Sequence, residues 1–78
     1  FPDPATNTVT CDYCLQRKPT DAYLVVRDVL GREMFRQKLT DQKRQLAWDT
    51  EDVAPGTYAV TLVNKARTLR AEKLVIHH

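Results

Sequence analysis

Apolar and polar residues alternate along most of this 78-residue chain, which is the pattern of β-strands with one buried face. In the first such segment, one side carries the apolar set Val9, Cys11, Tyr13 and Leu15. Residues 22–27 have apolar side chains on both faces, which is typical of a more central strand. The pattern therefore predicts β structure from about residue 8 onward.

The segment 28–33, Asp-Val-Leu-Gly-Arg-Glu, predicts the turn of a β-hairpin. Asp28 favours the first position of a type I turn, and Gly31 can take the left-handed conformation that closes such a hairpin with a bulge. The return strand is predicted from Arg32 to about Leu39.

A polar stretch at 40–44 predicts a surface loop, and 45–48 a short strand that points Leu46 and Trp48 inward. The same region, 41–48, could instead form a single helical turn. No other part of the chain shows a helical period of useful length.

A second turn is predicted at Pro55-Gly56, which matches the central pair of a type II turn. A strand should follow at 57–62, the chain should turn at 64–67, and the last strand should run from Thr68 to Ile76.

About six or seven short strands without intervening helices predict an antiparallel β-sandwich, because parallel pairs need long crossovers that this chain cannot supply. Residues 1–7, with prolines at positions 2 and 4, are expected to be a linker that enters the domain, and residues 8–78 to form the sandwich. We expect the chain to be a piece of a longer protein.

Charge argues against several partners. Twelve basic and ten acidic residues are interspersed along the chain and give a net charge of +2, so nucleic acid is not an expected partner. No apolar stretch approaches the roughly 20 residues that cross a bilayer as a helix, and nothing at the N-terminus resembles a signal peptide.

Enzymatic machinery is also missing from the sequence. There is no serine, and the only histidines are the terminal pair His77-His78, which is either native or the remnant of a purification tag. With two glycines in the chain, no phosphate-binding glycine loop can form. We therefore expect no catalytic residue and no cofactor.

Cys11-Asp12-Tyr13-Cys14 has the spacing of a redox or zinc half-site, but it lies in a strand pattern and has no second such pair. The favoured interpretation places Cys11 in the core and Cys14 on the surface, where it could cross-link two copies. The acidic cluster Asp49, Glu51 and Asp52 lacks the ligand ladder of a calcium loop, so a solvated turn and no metal site are expected.

Tyr58, just after the Pro-Gly corner, has two interpretations. It could return its hydroxyl to the turn as a tyrosine corner, or it could be an ordinary core tyrosine, which is the favoured interpretation.

Four motifs in order resemble a known family: Pro-Asp-Pro-Ala-Thr at 2–6, the hairpin segment 28–33, Ala-Pro-Gly-Thr-Tyr at 54–58, and Glu-Lys-Leu-Val-Ile at 72–76. The chain resembles the C-terminal sorting domain of the type IX secretion system of Bacteroidetes. The resemblance implies an immunoglobulin-like β-sandwich at the C-terminus of a cargo protein that is exported through the periplasm to the cell surface or the medium. The implied partners are the outer-membrane translocon, a shuttle protein and a sortase that often removes the domain.

The resemblance also implies roles for individual residues. Gly31 and Gly56 would shape the structural turns to which turn chemistry also assigns Asp28 and Pro55, and the terminal motif needed by the machinery would be formed by Lys73, Leu74, Val75 and Ile76. Because the apolar residues of this motif are consecutive, some of them should face outward and be available to a partner through edge pairing or in a groove.

Two alternatives belong to other classes. One is a structural or adhesive immunoglobulin-like module, similar to that of flagellar hook-capping proteins, and the other is a thiol redox enzyme that would need a depressed pKa at Cys14. A homodimer through an exposed edge strand or through Cys14 is compatible with the sorting domain and with the module.

Overall fold

In the computed structural model, which describes residues 2–4 and 7–77, the chain forms two antiparallel sheets packed as a β-sandwich. The strands are β1 (Pro2–Pro4), β2 (Thr8–Cys14), β3 (Ala22–Arg27), β4 (Glu33–Leu39), β5 (Lys43–Asp49), β6 (Gly56–Asn64) and β7 (Arg67–Ile76). The described residues contain no helix. The predicted all-β sandwich is confirmed.

The strands divide into a three-stranded sheet, in the order β1-β2-β5, and a four-stranded sheet, in the order β4-β3-β6-β7. If the strands are lettered A, B, C, C′, E, F and G in chain order, these sheets are ABE and C′CFG, which is an immunoglobulin-like arrangement. The predicted central position of β3 is confirmed, since it pairs with β4 on one side and β6 on the other.

The core lies between the sheets and contains side chains from every strand from β2 to β7. Phe35 of β4 stacks on Trp48 of β5, with ring centroids 5.4 Å apart, and so joins the two sheets at one side. Leu46 packs against the core from a partly buried position. The members of the buried cluster are Val9, Cys11, Tyr13, Leu15, Ala22, Leu24, Val26, Leu39, Trp48, Tyr58, Val60, Leu62, Leu74 and Ile76.

Part of the predicted linker at 1–7 forms a strand, and residues 1, 5 and 6 of it lie outside the described residues. Pro2–Pro4 form β1, which pairs antiparallel with β2 so that Pro2 is opposite Cys11 and Pro4 opposite Val9. Prolines lack an N–H group and are tolerated on edge strands, which is the position of β1 in its sheet.

The region after β4 differs from the sequence prediction at its boundaries. The predicted loop at 40–44 is shorter, because Lys43 and Arg44 already belong to β5 and pair with Cys14 and Tyr13. The helical turn considered at 41–48 is wrong. The Tyr13 hydroxyl donates a hydrogen bond to the Asp41 carbonyl at 3.0 Å and holds the short connection against β2.

The predicted type II turn at Pro55-Gly56 is also wrong. Gly56 is the first residue of β6, and its φ of 158° is close to extended, far from the +80° or so of a type II turn. The hydrogen-bonded turn lies earlier, where the Val53 N–H donates to the Thr50 carbonyl at 3.0 Å. Thr50 itself is buried and donates its N–H to the carbonyl of Asn7, the residue before β2, which fixes the turn against the start of that strand.

Tyr58 combines both interpretations weighed from the sequence. Its ring is buried in the core, and its hydroxyl donates to the carbonyl of Ala54, four residues upstream. The strand, β6, is the F strand of the immunoglobulin-like order, so the geometry is that of a tyrosine corner.

Removing this hydroxyl tests the corner. We expect Tyr58→Phe to lower the free energy of unfolding by about 1 kcal/mol, the net value of a single hydrogen bond, as measured by urea denaturation. Tyr23→Phe is the matched control, because the Tyr23 ring keeps its contact with the Arg36 guanidinium when it loses its hydroxyl. Equal stability of Tyr58→Phe and the wild type would contradict a role for the corner.

The β6–β7 hairpin turns through Lys65 and Ala66, with φ values of 52° and 62°. Two consecutive positive φ values define a type I′ turn, which favours Asn-Gly, and the left-handed conformation costs other residues roughly 1–2 kcal/mol each. The last hairpin therefore places Lys65 and Ala66 in the left-handed conformation, which is unfavourable for residues that have a Cβ atom.

Relieving that strain should stabilise the domain. We expect the double substitution Lys65→Asn and Ala66→Gly to raise the free energy of unfolding by about 1 kcal/mol, measured by urea denaturation. The same pair of changes at Arg17 and Lys18, outside any strand, should not stabilise the protein. A loss of stability in the turn variant would show that the turn is not of this type.

Candidate functional site

The last strand, β7, is an edge strand that also contributes to the core. It pairs antiparallel with β6 and has no second neighbour in its sheet. Leu74 and Ile76 point inward and are 2% and 4% exposed, whereas Lys73 and Val75 point outward, with Val75 45% exposed. The predicted division of the apolar residues between two faces is confirmed.

The first half of β7 is more polar than the second. Arg70 forms a salt bridge with Glu72, with Nη2 3.1 Å from Oε1, and both residues lie on the same side of the strand as Leu74. Charged side chains on the inward-facing side of an edge strand discourage uncontrolled pairing with another chain. The apolar, well-anchored part of the edge is therefore confined to the C-terminal end of β7.

The β3–β4 hairpin turn forms as predicted. The Gly31 N–H donates to the Asp28 carbonyl at 3.0 Å, and Gly31 has a φ of 82° that requires glycine in practice. The register shifts at the Val26/Arg27 step, as expected when a hairpin closes with a bulge.

The Asp28 carboxylate organises this turn. Its Oδ1 accepts from the N–H groups of Leu30 and Arg32, both at 2.9 Å, and its Oδ2 accepts from the Arg32 guanidinium at 2.7 Å. Burial alone would raise the pKa of Asp28, but the hydrogen bonds from Arg32 and Leu30 outweigh it and hold the pKa below its usual value. The tip side chains Val29 and Leu30 are left 78% and 75% exposed on a firmly held loop.

The hairpin tip and the last strand line the same depression at one end of the sandwich. Val29 lines a shallow depression of about 330 Å³ together with Thr57 and Ala59 of β6 and Ala71 and Lys73 of β7. The sequence predicts the hairpin and the C-terminal motif separately, and nothing in it indicates that they line one depression. Residues 59 and 71 gave no signal because alanine is unremarkable in a strand.

The other turn residues are not part of this arrangement. Pro55 and Gly56 precede β6, and Gly56 pairs with Ile76 at the end of β7. They influence the site only indirectly, because Gly56 forms the first residue pair of the β6–β7 ladder and so helps to set where Ile76 lies.

The two cysteines lie in different environments, and neither they nor the carboxylates form a metal site among the described residues. Cys11 is buried and Cys14 exposed, both as free thiols, as the favoured interpretation predicted. Burial raises the pKa of Cys11, which is the opposite of the activation that a redox thiol needs. Among the described residues, no group of three His, Cys, Asp or Glu side chains is arranged to hold a metal ion, and no helix could span a membrane.

These features define a small immunoglobulin-like β-sandwich with a tyrosine corner and an exposed C-terminal edge strand. A family model described as a secretion system C-terminal sorting domain matches residues 1–77, and the chain belongs to this family, the C-terminal sorting domains of type IX secretion. No curated protein and no solved structure matched the chain.

The Asp28 interactions predict a pH dependence. Because the folded pKa of Asp28 is lowered, its contribution to stability is complete above the unfolded value of about 3.9 and is lost as the pH falls through the folded pKa. We therefore expect Asp28→Asn to be less stable than the wild type at pH 6, and the difference between them to shrink as the pH falls below about 4.

Urea denaturation of both proteins between pH 6 and pH 2.5 measures this difference. Glu33, whose pKa is also lowered, by its hydrogen bond from Arg36, loses its contribution in both proteins and cancels in the comparison. A difference that stays constant with pH would show that the charge of Asp28 does not stabilise the turn.

Proposed function

We propose that this domain is a non-catalytic sorting signal that directs an attached N-terminal cargo protein across the outer membrane through the type IX secretion system. Membership of the sorting-domain family over residues 1–77 is the observation that carries this proposal. The cargo then reaches the cell surface or the extracellular space, and a sortase removes the domain and attaches the cargo to surface lipopolysaccharide.

The candidate recognition element is the terminal motif, Lys73 to Ile76. Its backbone lies at the edge of the four-stranded sheet, close to β1 of the other sheet, and a strand of a partner can add to this edge by hydrogen bonding. Its outward side chains, Lys73 and Val75, would supply specificity, and its inward ones, Leu74 and Ile76, would hold the strand in place. Such a signal acts by binding and needs no chemistry of its own.

The test is export of a passive reporter fused to residues 1–78. We expect reporter at the surface or in the medium of a host with an intact type IX system, and retention in the periplasm of a host lacking the translocon. Retention in both hosts would contradict the sorting function and favour a structural or adhesive module. Secretion from both hosts would show that the domain does not depend on this system.

Deleting residues 73–78 should retain the reporter in the intact host, but it also removes two core residues. A substitution separates recognition from folding: Val75→Asn changes an outward side chain and leaves Leu74 and Ile76 in the core. We expect reduced export with an unchanged melting temperature. Leu69→Asn, which changes a side chain of similar exposure, 47%, at the start of the same strand, should export normally. Normal export of both the deletion and Val75→Asn would contradict the role of the terminal motif.

A further inference from the structure

We propose that the β3–β4 hairpin tip and the outer side of β7 form one composite docking surface for an acidic, partly apolar protein partner in the export machinery. We call it the tip surface, and it comprises Val29, Leu30, Ala59, Ala71, Lys73 and Val75. The proposal rests on the proposed function and extends the outward side of the terminal motif, Lys73 and Val75, with a hairpin tip that is distant in sequence.

The hairpin tip presents exposed apolar side chains on a turn that hydrogen bonds hold in place. Among the large apolar side chains of the described residues, Val29 and Leu30 are the most exposed, at 78% and 75%. A flexible loop would lose conformational entropy on binding, but the Asp28 carboxylate and the Gly31 bulge already hold this tip. Exposed apolar groups on a preorganised turn are suited to fill a pocket of a partner.

The sheet next to the hairpin tip is concave on its outward face. Ala59 and Ala71 place small side chains on the outward face of β6 and β7, beside Val29 and Lys73, so the surface dips between taller neighbours. Val75, paired with Thr57, continues the same face toward the end of the strand. A concave floor of small residues next to these exposed apolar side chains can accept side chains from a protein partner.

Charge also distinguishes this surface. The two carboxylates that line the depression are each paired with an arginine, Asp28 with Arg32 and Glu72 with Arg70.

Two cations flank Ala59 on the outward face of the sheet, whereas the acidic cluster Asp49, Glu51 and Asp52 at the same end of the sandwich belongs to the end of β5 and the β5–β6 connection and does not line the depression. Arg27 and Lys73 stand on either side of Ala59 in the sheet register, about 10 Å apart across two strand spacings, and neither takes part in a salt bridge among the described residues. Electrostatic complementarity therefore favours a partner that carries carboxylates beside its apolar groups.

The test uses the reporter fusion with two tip-surface variants, Val29→Ser/Leu30→Ser and Lys73→Glu. We expect each to reduce surface reporter about tenfold, the effect of losing a central interface contact, with a melting temperature equal to that of the wild type. The matched controls are Leu69→Ser, for an exposed apolar side chain, and Lys43→Glu, for an exposed cation on the three-stranded sheet. Both controls should export normally.

Export of the tip-surface variants at the level of their controls would overturn the proposal while leaving the sorting function intact. Failure of the wild-type fusion itself to be exported would overturn both, and the two failures are therefore distinguishable. A membrane partner is tested by sedimentation of the 78-residue protein with vesicles of phosphatidylglycerol and phosphatidylethanolamine. Binding by the wild type that is lost in Lys73→Glu would assign the surface to lipid and overturn the protein partner.

Discussion

The pairing of β7 with β6 is the interaction on which the rest of this structure depends. It places Leu74 opposite Tyr58 and Ile76 opposite Gly56, so the end of the chain completes the core beside the tyrosine corner. Because successive strand residues point to opposite faces, the same pairing turns Lys73 and Val75 outward. One set of contacts therefore determines both the stability of the sandwich and the chemistry that its last strand displays.

This dual role ties recognition to folding. In an unfolded chain, Leu74, Val75 and Ile76 would be a short apolar run with no defined face, and residue 29 would be far from residue 73. In the folded domain, Val29 and Lys73 line the same depression, and Arg27 and Lys73 stand on either side of Ala59. A partner that binds this arrangement would distinguish a folded domain from an unfolded one.

The sequence predicted the regular parts of the fold well because each depends on local information. The alternation at 9–15 identified the buried face of β2, and Asp28 and Gly31 identified the first hairpin, since few residue types adopt that turn. The type II turn at Pro55-Gly56 was wrong because tertiary contacts decide that corner: buried Thr50 is held by Asn7, and the Tyr58 hydroxyl reaches back to Ala54. Likewise, Lys43 and Arg44 form a strand despite their charge because β2 offers them partners.

The candidate site was predictable in part. The terminal motif was found by resemblance, but the sequence left open which of its residues face outward, because Leu74, Val75 and Ile76 are consecutive, and the pairing of β7 with β6 decides it. The depression beside Val29 could not be found, because it depends on the register of β6 against β7 and on small residues whose types carry no signal of their own. Sequence patterns within one strand do not encode which turn will lie above it.

The central claim is that β7 is a folded edge strand, and hydrogen exchange of its backbone amides in the isolated 78-residue protein measures this most directly. The account predicts that the amide hydrogens that β7 donates to β6 between residues 72 and 76 exchange as slowly as those shared by β3 and β6. Exchange of these amides at the rate of an unfolded chain would contradict it, because the terminal motif would then be a free tail and not part of the sandwich.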